Sequence, residues 1–394
     1  MNFVGTELDK MRFLHTSDWH LGRIFHGVHL TSDQAHVLDQ FYYLVRDAKP
    51  DAVVIAGDIY DRAVPPTEAV NLLDDTLSRL LLDLKVPVIA IAGNHDSPER
   101  LGFGNRLLSR QGLHVIGQLP GRVEPVVIND TYGPVYFLPL TYAEPALVRE
   151  RFGNDSAVDH QTAIELMIKQ ALAQVPANAR TVAVAHAFIA GGQESESERP
   201  LSVGGSSMVS AKVFAPFNYT ALGHLHNCQQ AGAETIRYSG SLLKYSFAEA
   251  AHRKGVNLVE LDAKGQASVE VIPLAPRRDV RCIDGFFKDL LAGPQNAEGC
   301  DDYIMVTLRD NSPILDVRGQ LQAVYPNILH IDYPRLTTGG DLRGPQGDHR
   351  RLGETQLFAA FFEQMTGEAL NNEQAAGIAQ IIDEVYRQNR EVEA

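Results

Sequence analysis

The sequence is poor in cysteine: Cys228, Cys282 and Cys300 are the only three in 394 residues, widely spaced and odd in number. No Cys-x-x-Cys pair occurs. A disulfide framework and a thiolate metal site therefore find no support, and a reducing cytoplasm is the expected setting. Long apolar runs are also missing. Nothing approaches the roughly 20 residues that cross a bilayer, which argues against a membrane protein. The opening segment MNFVGTELDKMRFLHTSDWH has no basic stretch leading into an apolar core, so no export signal is read there. Residues 1–10 read instead as a short extension ahead of Met11. Positive charge is in deficit: 35 Lys and Arg against 49 Asp and Glu give −14. A general polyanion binder is disfavoured, because neutralising phosphates takes Lys and Arg. A local positive site stays compatible, since bound divalent ions add charge that counting side chains omits. Internal repeats are lacking. The one low-complexity loop is Gly191–Ser207, with an acidic tip expected to be mobile.

What is present is an alternation. Short apolar runs, Met11–Leu14, Ala52–Ala56, Val86–Ala92, Thr181–Ala185 and Tyr219–Leu222, read as strands. Between them lie amphipathic segments such as Ser32–Lys49 and Pro66–Lys85, the latter with leucines at helical spacing. Near-continuous apolar strands alternating with helices indicate a layered α/β fold. The texture changes at the linker-like Pro273–Arg281. A compact unit follows: helix-like Gly285–Leu291, strand-like Tyr303–Leu308, helix-like Leu315–Tyr325 and strand-like Ile328–Tyr333. After a Gly-rich, charged break, Glu354–Met365 and Asn372–Asn389 read as two helices with no strand between. Two helices cannot build a core alone and need something to pack on.

The chemistry sits where the apolar runs stop. HTSDWH carries Asp18 and His20, GDIYD carries Asp58 and Asp61, and GNHD carries Asn94, His95 and Asp96. His186 follows the fourth run, and GHLH after the fifth carries His224 and His226. In α/β sheets ligands bind beyond the carboxyl ends of strands, so these groups converge if their strands share a sheet. Asp18, His20 and His226 can form one side of a two-metal site, with Asn94, His186 and His224 on the other. Asp58 can bridge, because a carboxylate has two oxygens. A His/Asp/Asn shell without thiolates suits Mn²⁺, Fe²⁺ or Zn²⁺ better than Ca²⁺. Two such ions clamp a phosphoryl group and lower the pKa of a bound water. Gly57, Gly93 and Gly223 each precede a ligand and permit tight turns. Asp96 is expected to hold its loop or to orient His95.

The series DWH, GDIYD, GNHD, His186, GHLH resembles the calcineurin-like metallophosphoesterase superfamily. LHTSDWHLGR, VIAGDIYDRAVPP, ALGHLH and RYSGSLLKYSFAEA are similar to its SbcD-type branch, nuclease subunits of bacterial DNA repair complexes. The likeness runs from Met11 to the C-terminus. It implies a four-layer αββα sandwich over 11–275, a small α/β cap for DNA over 276–337, a linker over 338–353 and partner-binding helices over 354–394. It implies two Mn²⁺ ions, with Mg²⁺, Fe²⁺ and Zn²⁺ as alternatives, held by Asp18, His20, Asp58, Asn94, His186, His224 and His226. It also makes His95 the catalytic histidine. A leaving sugar oxygen needs a proton, and imidazole can give one near neutral pH. One departure stands out: relatives in archaea and eukaryotes carry a second histidine where this chain has Asp61. An anion cannot serve phosphate in that way, so Asp61 is read as a support for His95.

By the same likeness the substrate is DNA, and the activity is double-strand exonuclease with single-strand and hairpin endonuclease. The partner is an SbcC-type coiled-coil ATPase, bound by the face carrying Leu357, Phe358, Phe361, Phe362 and Met365. The nuclease itself is expected as a homodimer within a heterotetramer, paired through Pro66–Lys85 and a helix over Glu99–Arg110, and nucleoid-associated. Candidate DNA contacts are Tyr238, Lys244, Tyr245, His252, Arg253 and Lys254, with Arg277, Arg278 and Arg281 at the cap boundary. The competing readings are a small-nucleotide phosphodiesterase or phosphatase with the same metal core, and a non-enzymatic metal-binding scaffold.

Overall fold

Strands buried on both faces must satisfy their backbone groups within a sheet, and the apolar runs do so in two sheets. The computed structural model describes residues 10–198, 201, 207–294, 299–334, 354–366 and 368–392. The 1–10 extension apart from Lys10, the 338–353 linker and part of the 191–207 loop lie outside them. Two compact units divide the chain, 1–280 and 281–394.

In the first unit one six-stranded sheet has the order Ala267–Pro273, Gly255–Leu261, Met11–Thr16, Ala52–Ile55, Val88–Ile91, Leu113–Ile116. Its last four strands are parallel, Gly255–Leu261 adds antiparallel to Met11–Thr16, and Ala267–Pro273 adds antiparallel to Gly255–Leu261. The second six-stranded sheet has the order Gln229–Ala231, Ala233–Tyr238, Tyr219–Gly223, Arg180–His186, Gly133–Leu140, Val126–Asp130. Its four central strands are parallel and its edges antiparallel.

The sheets pack face to face. Phe13, Val54 and Ile89 of the first meet Phe137, Val182 and Tyr219 of the second in one buried cluster. Phe13 stands edge-on to both Phe137 and Tyr219, with centroids 5.3 and 5.6 Å away, a favourable aromatic geometry. Alternate residues of the second sheet, Leu138, Ala183, Leu222 and Tyr238, join a separate cluster with Ile164, Met167 and Ala171. Those three lie on the helix His160–Leu172, which a capping box between Asp159 and Thr162 starts. Leu14, Val53 and Ile55 on the other face of the first sheet are also buried, as are Val37, Leu38, Phe41 and Val45 of the helix Thr31–Ala48. The five donor-tipped runs thus belong to two sheets, three strands in one and two in the other. Stacked sheets with adjoining strand ends bring the donors together where a single sheet does not.

The Pro66–Lys85 segment forms a helix over Thr67–Ser78, continued by a wider turn over Arg79–Asp83. The expected helix over Glu99–Arg110 is broken. Short turns at Pro98–Leu101 and Asn105–Leu108 are separated by Gly102 and Gly104, and Gly104 has φ +75°. A backbone in that region cannot continue a right-handed helix.

In the second unit a three-stranded sheet, Val280–Gly285, Tyr303–Leu308 and Ile328–Asp332, carries the short helices Phe287–Leu291 and Val317–Gln322. Its core holds Ile304, Val306, Leu308, Val317, Leu321, Tyr325 and Ile328. The terminal helices are Glu354–Thr366 and Asn372–Val392. Leu357, Phe358 and Phe361 are exposed on the first of them, and the Met365 side chain lies outside the described residues.

Candidate metal centre

His186 ends the strand Arg180–His186, and the other donors sit on turns that leave strands. These turns are cross-tied before any side chain acts: Asp18 N–H donates to Gly57 O, His20 N–H to Asp58 O and Ala56 N–H to Thr16 O, all at 2.9–3.0 Å. Asp18, His20, Asp58 and His224 have φ of +53°, +46°, +49° and +112°. Four non-glycine residues in sparsely populated backbone conformations cost on the order of 1–3 kcal/mol each, and such strain gathers at functional sites. Gly93 is required by space: a Cβ there would collide with the carboxylate and amide of Asp58.

The carboxylates take the centre. Asp58 Oδ2 lies 3.7 Å from His20 Nε2, 3.5 Å from His186 Nε2 and 3.9 Å from His95 Nε2. Its Oδ1 accepts from His95 N–H at 2.9 Å. Asp18 accepts from Ser17 Oγ at 2.5 Å and from His224 N–H at 3.0 Å. Two tight donor groups result, Asp18 with His20 and His226, and Asp18 with Asp58 and His186. A third joins His20, Asp61 and His95. Asn94 Oδ1 lies 2.9 Å from His186 Nε2, and the His224 ring stands 5.5 Å from that of His186.

The donor set fits a divalent cation pair. His186 Nδ1 donates to Ala56 O at 2.9 Å, so the neutral ring turns its Nε2 lone pair toward Asn94 Oδ1 and Asp58. His20 Nε2 and His226 Nε2 face each other at 3.0 Å. Acceptors converging on acceptors inside a protein call for a shared cation. Burial, helped by the neighbouring Asp58, pushes the Asp18 carboxyl well up. Burial likewise holds His20, His186 and His224 below their ordinary value, in the neutral form that binds metals. With nitrogen and oxygen donors and no thiolate, the set suits first-row divalent ions.

A family profile of calcineurin-like phosphoesterases matches residues 11–228. A second profile, described as the C-terminal domain of the type 5 capsule protein repressor, matches residues 276–366. The SbcD subunit of the SbcCD nuclease from Staphylococcus epidermidis is 31% identical over 372 residues, covering 94% of this chain and 98% of that protein. The chain belongs to the calcineurin-like phosphoesterases, in their SbcD-type nuclease branch. It is therefore a metal-dependent phosphoesterase. Among solved structures, TT1561 of Thermus thermophilus matches with 12% identity and a TM-score of 0.36, over 66% of this chain and 99% of that one. A dimetal phosphatase from Danio rerio matches with 13% identity and a TM-score of 0.39, over 67% of this chain and 99% of that one.

The SbcD-type site has supports that differ from the sequence expectation. His95 Nδ1 donates to the backbone carbonyl of Asp61 at 2.8 Å, so the Asp61 main chain holds the ring. The Asp61 carboxylate is paired instead with Arg23 Nη1 at 2.8 Å. Asp96 hydrogen-bonds to backbone rather than to a ligand side chain. It accepts from the N–H groups of Ile59, Tyr60 and Gly93 at 2.9–3.1 Å, tying two turns together. Of the two roles open to it, the structure supports the loop one. Burial, with Asp58 nearby, pushes this carboxyl up to about 7.

Most of the candidate DNA contacts are interior. Tyr238 is fully buried, donating its hydroxyl to Ala187 O and accepting from Ile189 N–H. Tyr245 is buried and donates to Trp19 O at 2.5 Å. Lys254 is buried against Glu249. Lys244 is half-buried and spends its ammonium on Asp279 and Ala250 O. These four cannot line a groove, because their polar atoms already have protein partners and little surface. His252 is half-buried beside Glu249. Arg278 lies 3.6 Å from Asp33, and Arg281 pairs with Asp302 at 2.7 Å. Arg253 and Arg277 are exposed. Residues that sequence reading missed include Ser17, Ser197, Glu198 and Glu249, each bonded directly to a donor residue. Glu249 lies inside the RYSGSLLKYSFAEA run, the one signal that could have found it.

Proposed function

We propose that the chain is a Mn²⁺-dependent DNA nuclease, with double-strand exonuclease and single-strand or hairpin endonuclease activity, working with a coiled-coil ATPase of the SbcC type in processing DNA breaks and hairpins. The observation carrying this reading is that donors from five strand ends gather around Asp18 and Asp58, in a chain that belongs to the SbcD-type branch. Asp18, His20 and His226 would hold one ion, Asn94, His186 and His224 the other, with Asp58 as the carboxylate available to both. When bound, two such ions supply Lewis-acid stabilisation of a phosphodiester and activation of water. The chain's own residues do the rest. The Asp61 carbonyl fixes the proton of His95 on Nδ1, so Nε2 faces the donors. His95, once protonated there, neutralises the departing sugar oxygen. Asp96 keeps the turn carrying His95 in register with the turn carrying Asp58.

Partner surfaces follow from exposed apolar groups. Val70, Leu82, Phe103, Leu107 and Leu108 are exposed along 67–83 and 98–111, which supports pairing with a second copy of the chain. Leu357, Phe358 and Phe361 on the helix Glu354–Thr366 support helix docking on the ATPase. Arg253 and Arg277 are the exposed cations left from the proposed DNA contacts. The test is nuclease activity on linear duplex and hairpin DNA with and without Mn²⁺, comparing wild type with His95→Ala and His224→Ala. Loss in both variants is expected. Full activity in either sinks the site assignment, and activity restricted to nucleotide monophosphate esters replaces the substrate class.

A further inference from the structure

The 237–254 segment, RYSGSLLKYSFAEAAHRK, supplies no proposed ion ligand, yet it buries two opposite charges beside one. His226 is tied at every polar atom except ring Nε2. Its N–H donates to Glu198 Oε1 at 2.8 Å. Its carbonyl accepts from Lys254 Nζ at 2.7 Å. Its Nδ1 lies 2.6 Å from Ser197 Oγ and 3.3 Å from Glu249 Oε1. Glu249, fully buried, takes Lys254 Nζ on Oε2 at 2.5 Å and the Ser197 hydroxyl on Oε1 at 2.5 Å. Lys254 completes its set on Ser241 Oγ at 2.8 Å.

The direction of this chain is fixed by chemistry. An ionised carboxylate only accepts, so Ser197 donates its one proton to Glu249. The serine oxygen is then left to accept, and the proton it accepts is on His226 Nδ1. That forces the Nδ1–H tautomer and leaves the Nε2 lone pair pointing at Asp18 and His20. An apolar pair in place of Glu249 and Lys254 would fill the space at no desolvation cost. It could not hold the ring and the carbonyl of His226 at once.

We propose that Ser197, Glu249 and Lys254 are positioning residues which lock His226 in the tautomer and orientation that binds an ion. The inference rests on the two-ion reading of the rim. It also gives Tyr245 a place: its ring stands 5.5 Å from that of His20 and 5.8 Å from that of His226, edge-on to both.

The test is direct Mn²⁺ titration of the full chain, following free Mn²⁺ by electron paramagnetic resonance, for wild type, Ser197→Ala, Glu249→Gln and His226→Ala. Ser197→Ala and Glu249→Gln should keep two sites but weaken one by about 10- to 100-fold, the range for groups that orient a ligand. The Mn²⁺ concentration for half-maximal nuclease activity should rise by the same factor, and Ser197→Thr should restore it. A lower melting temperature of the metal-free protein with unchanged Mn²⁺ affinity would mean mere packing and overturns the proposal. If Glu249→Gln does not fold, Ser197→Ala decides alone, unchanged affinity again overturning it. His226→Ala separates the two layers. If it keeps both ions, the metal reading of His226 fails; if it loses one while the other two variants bind normally, only the positioning role fails.

Discussion

The metal rim and the first C-terminal helix depart from ordinary burial in opposite directions. The rim hides Asp18, His20, Asp58, His186 and His226 at 3% exposure or less, residue types that are seldom so buried without partners. The helix Glu354–Thr366 does the reverse, leaving Leu357 and Phe361 at 41% and 55% exposure. Each misfit defines what would complete it. Converging lone pairs and buried carboxylates ask for cations, and exposed large apolar side chains ask for protein. The rim is rigidly prepared, with its turns hydrogen-bonded to one another, so its partner meets a finished socket.

The sharpest way to break this contrast is to remove the centre of the socket. Asp58→Ala should abolish nuclease activity and release bound metal, read by elemental analysis after dialysis. Retention of two ions per chain would contradict the bridging role. His95→Ala should be milder and of a different kind: kcat falls by about 10²–10⁴-fold, the usual worth of a general acid, while both ions stay. Chelation should also lower the melting temperature of the wild type. Ligand at a thousand times its Kd stabilises a fold by about 4 kcal/mol. The calorimetric midpoint of Asp58→Ala should be indifferent to the chelator.

The helix answers to other changes. A chain ending at Gly353 should lose co-purification with the coiled-coil ATPase and keep its metal content. Loss of metal as well would mean the tail supports the nuclease fold. Phe103→Ser with Leu107→Ser should shift the chain from dimer to monomer in sedimentation velocity, with metal content unchanged. A wild-type chain that is monomeric across micromolar concentrations would remove the second copy as the occupant of that surface.

The rim was legible because polar donors at the end of an apolar run are anomalous, and five such anomalies in order leave little room for chance. The sandwich was less so. Val126–Asp130 and Gly133–Leu140 went unread because an edge hairpin shows weak alternation, and the division of donors between two sheets depends on pairings far apart in sequence. The Glu99–Arg110 helix, expected from the resemblance, is broken at Gly102 and Gly104, which the resemblance did not take into account. Tyr238, Tyr245 and Lys254 were assigned to DNA on the default that polar side chains face solvent. That default fails beside a metal site, where a ligand such as His226 needs polar residues behind it. Ser197 and Glu249 meet across 52 residues, which no local pattern can reveal.

This last misreading yields the smallest and most selective prediction. If Arg253 touches the DNA backbone and Lys244 does not, their alanine variants should separate. Arg253→Ala should weaken duplex binding uniformly across sequences and reduce the slope of log K against log salt by about one, the loss of a single phosphate contact. Lys244→Ala removes a cation that already holds Asp279 and Ala250, so it should cost stability and leave the salt slope alone. Fluorescence anisotropy at several salt concentrations, paired with thermal melts, reads both. A wild-type slope in both variants would mean that neither carries DNA, and that the groove runs along some other part of the surface around the rim.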